Sequence, residues 1–199
     1  MNTLDINFNR LNDECMKLYK KIKNTYDYDL VVFIAKGSYL IGKEIAELNN
    51  VPLIEIRAER KGNKLKTLLK PVLKIIPKRI LNVLREKEMK SVVHVKHVDR
   101  NVSYDEKKYS NFKDKKRILL IDDSADSGNS LILCVDSLKK YFTNSEIKTC
   151  TLNVMNHSEF IPDYYLYKNT IIRGPWSSDS VENRKFLNEY YDWHREEYK

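Results

Sequence analysis

The segment Arg117 to Phe142 does most to limit how this chain can fold. Arg117-Ile-Leu-Leu-Ile121 is the most strand-like run in the sequence, and it stops at two adjacent carboxylates, Asp122 and Asp123. A turn of small residues follows, and Ser130 to Phe142 carries helical spacing. A short continuous apolar run is typical of a strand buried on both faces, and strand, tight turn, helix is the building unit of parallel α/β sheets. A second unit stands earlier: Leu30-Val-Val-Phe-Ile-Ala35, the turn Lys36-Gly37-Ser38, a helical pattern from Tyr39 to Leu48, and a strand from Val51 to Ile56. The expected fold is α/β, with an open, mostly parallel twisted sheet flanked by helices. The chain has five glycines, and Gly37, Gly42 and Gly128 fall in or beside these units, where the backbone must bend or come close to something.

The rest of the chain fits around this frame. Helical spacing begins at Leu11 within Thr3 to Asn24. Lys64 to Lys90 is basic and amphipathic, and Pro71 and Pro77 break it into two predicted helices. Val92 to Val98 alternates as a strand; Asn101 to Lys116 is polar, without a period, and reads as a loop. Further strands are predicted at Ile147 to Val154 and Tyr164 to Ile172, and an aromatic-rich terminal helix at Phe186 to Tyr198. At 199 residues the chain suits one domain, 1–199, with residues 57–96 as a basic helical insertion.

Charge and cysteine content narrow the function classes. The net charge is +8, yet Arg57 to Lys96 holds 13 Lys/Arg against 3 Asp/Glu, so the remainder is slightly acidic. That segment could bind an anionic acceptor, nucleic acid or an anionic membrane surface, or pack an apolar face on the sheet or a second subunit with its lysines in solvent. It has no aromatic residue, which weighs against single-stranded nucleic acid, where bases stack on rings. The three cysteines, Cys15, Cys134 and Cys150, form no close pair, which argues against a disulfide framework and for a reducing cytoplasm. The longest apolar run, Leu30 to Ala35, is far short of the roughly 20 residues of a transmembrane helix. No secretory signal precedes Tyr26. His94-x-x-His97 lies in the predicted strand, which points its rings to opposite faces and disfavours a metal.

Chemistry concentrates in Ile118 to Ser130. Ligands of open parallel sheets bind beyond the carboxyl ends of the strands. Backbone N–H groups at a helix N-terminus favour phosphate; Gly128 permits close approach, and Ser127 and Ser130 can add hydroxyl donors. Asp122 and Asp123 can hydrogen-bond a ribose diol or help hold Mg2+. Asp126 sits among phosphate-binding positions, where a carboxylate must face away, and that suits a proton acceptor aimed at a second substrate. A lone Asp-Asp pair could equally be an acidic turn capping the helix.

The complete string carries more. Four apolar residues, two acids, two small residues, then Asp126 and Ser127-Gly-Asn-Ser130 closely resemble the phosphoribosyl pyrophosphate signature of the type I phosphoribosyltransferases. The resemblance implies that Asp122, Asp123, Asp126, Ser127, Gly128, Asn129 and Ser130 bind phosphoribosyl pyrophosphate, with Mg2+ as cofactor. Ala35-Lys36-Gly37 resembles the family's pyrophosphate loop, which makes Lys36 and Gly37 pyrophosphate contacts. Thr151-Leu152, Pro162-Asp-Tyr-Tyr165 and Gly174-Pro-Trp176 resemble the hood of the bacterial xanthine-guanine and hypoxanthine branch. This implies a small hood and C-terminal segment over residues 155–199, with Trp176 stacking on the base. Asp126 becomes the general base toward N7 of a 6-oxopurine. Asp179 and Arg184 correspond, across a one-residue gap, to a second metal ligand and a pyrophosphate contact. Ser103-Tyr104 is similar to the pair on the loop that closes over the site. One departure stands out: the family's base-reading lysine falls on Met155. The activity implied is transfer of a 5-phosphoribosyl group to a nucleobase in purine salvage, by a homo-oligomer (dimer or tetramer). Two rivals remain: a transferase for a non-standard acceptor bound by the insertion, and a non-catalytic regulator that binds nucleic acid.

Overall fold

A computed structural model of the chain describes residues 2–60 and 100–197. The chain divides into two units, one of residues 1–58 with 102–199 and one of residues 59–101. The described residues lie almost wholly in the first. The predicted helices of Lys64 to Lys90, the predicted strand Val92 to Val98 and the pair His94 and His97 fall outside the described residues.

The first unit opens with strand β1 (Asn2–Asp5) and helix α1 (Phe8–Lys23). Strand β2 (Leu30–Ile34), helix α2 (Tyr39–Asn49) and strand β3 (Leu53–Arg60) follow. Beyond β4 (Arg100–Ser103) and the short helix α3 (Glu106–Ser110) come β5 (Arg117–Ile121) and β6 (Ser124–Ala125). Helix α4 (Asn129–Tyr141), strands β7 (Glu146–Val154), β8 (Tyr164–Lys168) and β9 (Thr170–Arg173), and helix α5 (Asn183–Glu197) complete it. The main sheet runs β4-β3-β2-β5-β7-β8, with β6 continuing beyond β5 along the same edge of β7. Strands β3, β2, β5, β7 and β8 pair in parallel. Among the described residues, no helix is long and apolar enough to cross a membrane.

Two apolar layers follow from the period of two along each strand. Val31, Phe33, Leu119, Ile121, Cys150 and Leu152 turn to one face, where α1, α2 and the Phe186 and Tyr190 side of α5 cover them. Leu30, Val32, Ile34, Ile118 and Leu120 turn to the other, beneath Leu131, Cys134, Val135 and Leu138 of α4. All five residues of β2 and four of β5 are buried. At about 1.5–3 kcal/mol for each fully buried aliphatic or phenyl group, these two strands anchor the sheet. Cys15, Cys134 and Cys150 are buried free thiols within these layers.

Three elements differ from the sequence expectation. Residues 101–116 are not a loop throughout: β4 ends at Ser103 and α3 follows. Asp105 caps α3 by accepting from the N–H groups of Lys107 and Lys108. Tyr109 is buried, stacks on Tyr104 at 4.4 Å between ring centroids and donates its hydroxyl to Glu55 O at 3.1 Å. Residues 164–172 form two strands, because Asn169 adopts φ 53 and turns the chain. β8 stays on the main sheet, and β9 leaves to pair in parallel with β1 in a small second sheet. β1 itself had no counterpart in the sequence reading, since its partner lies near the other end of the chain.

Replacing Tyr109 with Ala is expected to lower stability by about 3–5 kcal/mol through the cavity left behind. Tyr109→Phe should lose about 0.5–1.5 kcal/mol with the hydrogen bond to Glu55 O. Urea denaturation reads both; equal losses would mean that the ring packs poorly.

Candidate active site

The ladder does not stop where β5 ends. The register that pairs Ile121 with Cys150 runs on unbroken to pair Ser124 with Asn153. Asp122 N donates to Cys150 O at 3.0 Å, and Leu152 N donates to Asp123 O at 3.2 Å. The two acids are thus fixed by backbone bonds to β7, and only their side chains can adjust. Asp123 N donates to Asp122 Oδ1 at 2.9 Å, and Ser124 N to Asp123 Oδ1 at 3.0 Å. Burial, then the Asp123 charge, pushes the Asp122 carboxyl well above the usual carboxylate range. Burial also raises Asp123, against hydrogen bonds from Asp122, the Ser124 N–H and the Trp176 indole that favour its charged form. Such a pair calls for a shared proton, hydroxyl donors or a cation.

A second turn meets the acids from β2. Ala35 N donates to Ile56 O at 2.9 Å, and the Ala35–Lys36 peptide is cis. Buried Ser38 places Oγ 2.6 Å from Ile34 O and 3.0 Å from Ile121 O, which ties the ends of β2 and β5 together. A Cβ on Gly37 would come within 2.9 Å of an Asp123 carboxylate oxygen, so only glycine lets the turn lie this close. Lys36 is exposed and rests on the terminal helix. Its Nζ donates to Tyr191 Oη at 2.7 Å and lies 5.5 and 4.8 Å from the Tyr190 and Tyr191 ring centroids.

The loop after β6 is bound from outside. Gly128 stands at the N-cap of α4 with φ 79, in the left-handed region. A Cβ there would meet Phe160 Cβ at 2.6 Å, so the close approach it permits is to the segment after β7 as well as to any ligand. Glu159 N donates to Ser127 O at 3.1 Å on the same side. Ser127, Gly128, Asn129 and Ser130 thereby form a turn at the start of a 13-residue helix, a place suited to an anion. Asp126 is exposed, and its Oδ1 accepts from Ser124 Oγ at 2.9 Å.

The other expected residues fall into two groups. Met155 is buried beside the loop, its N donating to Ala125 O at 3.0 Å and its Sδ accepting from Asn153 Nδ2 at 3.3 Å. The Trp176 ring folds over Gly174, with its indole toward Asp123. Asn183 Nδ2 holds that turn through Pro175 O and Trp176 O. Asp179 stands apart, in a cleft of about 410 Å³ shared with Asp5, Asn7, Arg173 and Glu182. Arg184 is exposed on the first turn of α5. Among the described residues, no three metal-ligating side chains come together. Tyr104, expected on a closing loop, is half-buried against Tyr109. Ser38, Ser124, Asn153 and Tyr191 were not singled out from sequence as site residues. Tyr191 is one of several aromatics of the predicted terminal helix, and nothing local marks a serine or asparagine as a contact.

The family model described as the phosphoribosyl transferase domain matches residues 7–182. No curated protein sequence matches the chain. Among solved structures, a purine phosphoribosyltransferase from Pyrococcus horikoshii is 19% identical, with a TM-score of 0.60 over 91% of this chain and 97% of its own. Xanthine-guanine-hypoxanthine phosphoribosyltransferase from Helicobacter pylori is 14% identical, with a TM-score of 0.62 over 92% and 99%. A hypothetical protein from Neisseria gonorrhoeae with bound ppGpp is 15% identical, with a TM-score of 0.57 over 98% of each chain. At these identities the likeness is one of fold.

Because the folded state raises the Asp122 pKa, its contribution to stability is complete below the unfolded value of about 3.9 and is lost as pH rises through the folded value. Asp122→Asn is therefore expected to make the ligand-free protein more stable than the parent at pH 7, with the gap closing toward pH 4. Urea denaturation at the two pH values checks this; a variant less stable at pH 7 contradicts it.

Proposed function

The chain belongs to the phosphoribosyltransferase family, and from that premise we propose that it moves a 5-phosphoribosyl group from phosphoribosyl pyrophosphate to a 6-oxopurine. The observation that carries this reading is the meeting of three parts at the strand ends. The ladder-held acids, the Gly37 turn against Asp123 and the anion-suited start of α4 lie side by side. In this reading the turn from Ser127 to Ser130 holds the 5-phosphate, and Asp122 and Asp123 take the ribose hydroxyls. Lys36 and Gly37 receive the pyrophosphate, and Trp176 flanks the site beside Asp123. Two structural neighbours are named purine and xanthine-guanine-hypoxanthine phosphoribosyltransferases, which supports a purine acceptor.

The reaction then balances simply. An acceptor nitrogen bonds to C1 of the ribose, and the bond from C1 to the pyrophosphate oxygen breaks with its electron pair leaving on pyrophosphate. The proton shed by the base passes to Asp126, whose exposed carboxylate is turned to Ser124. Mg2+ suits the donor set: Asp122 and Asp123 offer hard oxygen atoms whose repulsion a cation relieves, and substrate oxygens would complete its shell. Bound there, it would neutralise charge on the departing pyrophosphate. Asp179 and Arg184 are given no part in this scheme.

A second reading rests on Met155. At 7% exposure, with its sulfur engaged by Asn153, it offers no charged donor to a purine O6. That favours a transferase whose acceptor is another nitrogen compound. Pyrophosphate release with Mg2+ and phosphoribosyl pyrophosphate, scanned over hypoxanthine, guanine, xanthine, adenine and other acceptors, separates the two. Activity confined to non-purines would remove the first.

Asp126→Asn tests the base. Turnover is expected to fall by about 10²–10⁴, the usual contribution of general-base catalysis. Calorimetric affinity for phosphoribosyl pyrophosphate should change less than about tenfold, since the side chain faces the acceptor. Turnover within about threefold of the parent would rule out the assignment.

A further inference from the structure

We propose that Asn153 is a positioning residue for Asp126, acting through the Ser124 hydroxyl; the inference rests on the reading of Asp126 as the acceptor's base. Asn153 lies on β7 and is 1% exposed. Its amide makes three contacts. Thr170 N donates to Oδ1 at 3.1 Å, and Nδ2 donates to Ser124 Oγ at 3.2 Å and to Met155 Sδ at 3.3 Å. Ser124 Oγ in turn donates to Asp126 Oδ1 at 2.9 Å.

The direction of this chain is forced. A backbone N–H can only donate, so Thr170 fixes which end of the Asn153 amide is oxygen. The NH2 group must then face Ser124 and Met155. A hydroxyl that receives a hydrogen from Nδ2 has one hydrogen of its own, and its remaining near partner is the Asp126 carboxylate. Asn153 therefore aims the Ser124 hydrogen at Asp126. That hydrogen bond to Oδ1 restrains the exposed carboxylate and leaves Oδ2 for the acceptor. The first link, Thr170, opens β9, so the small second sheet sets the orientation of a side chain across the main sheet. The same amide holds Met155, so the base and the residue in the base-reading position share one buried support.

The idea differs from a packing role in what it says about turnover. Misplacement of a catalytic group by an ångström costs about 10² in rate while leaving remote binding intact. Ser124→Ala, a change at a half-buried hydroxyl, is expected to lower kcat by about 10- to 100-fold, with KM and calorimetric affinity for phosphoribosyl pyrophosphate changed less than about threefold. Ser124→Thr keeps the hydroxyl and should retain most of the turnover. Asn153→Ala should match the kcat loss of Ser124→Ala, and combining the two should add nothing to kcat, because one acts through the other. Hypoxanthine, guanine and xanthine serve as acceptors, with Asp126→Asn run beside them. A kcat unchanged in Ser124→Ala, or a full additive loss in the double variant, overturns the positioning role even where Asp126→Asn is inactive. Near-normal turnover of Asp126→Asn overturns the base reading, and this inference with it.

Discussion

Two like charges are held at neighbouring positions in a β-ladder, and most of the site follows from that. Asp122 and Asp123 cannot retreat from each other by moving the chain, because backbone bonds to Cys150 and Leu152 of β7 hold it in register on both sides. Their repulsion has to be met by what approaches them. The structure brings the nearest elements close on purpose-built terms: a turn without a side chain at Gly37, an indole from Trp176, and a serine at 124 whose N–H caps a carboxylate oxygen. The crowding that raises the acids is also what hydroxyl donors or a cation would relieve.

The parts of the fold that could be read from the sequence are those whose cause is local. The apolar runs of β2 and β5, the glycine turns after them and the helices α2 and α4 are set by burial and period within about 25 residues. The signature from Asp122 to Ser130 was legible for the same reason. What escaped depends on partners distant in sequence. β1 is four residues that make sense only beside β9. Helix α3 exists because Tyr109 finds Tyr104 and Glu55, neither of which marks residues 106–110 as helical from within. The single predicted strand from Tyr164 to Ile172 breaks at Asn169, beside which Asn153 Oδ1 accepts from Thr170 N, and the chain passes to a new strand partner.

Side chains that serve the site indirectly were the least visible. Asn153 reads as one more strand residue between Leu152 and Val154, and what sets it apart is its three contacts, to β6, to β9 and to Met155 just beyond its own strand. Tyr191 reads as one of several terminal aromatics, yet its hydroxyl meets the Lys36 ammonium from across the fold. Met155 was noticed because it stood where a lysine was expected. The structure adds that the position is buried and that its sulfur meets the Asn153 amide, a hydrogen-bond donor where an ammonium needs an acceptor.

The elements that meet at the strand ends are held unequally. On one side, acids and anion turn are locked by ladder bonds, by Phe160 over Gly128 and by the Glu159 N–H on Ser127. On the other, the Lys36 ammonium leans on a tyrosine that is about half exposed to water. A molecule reaching both would meet one element that backbone bonds already hold and another whose ammonium must leave the Tyr191 hydroxyl to receive it.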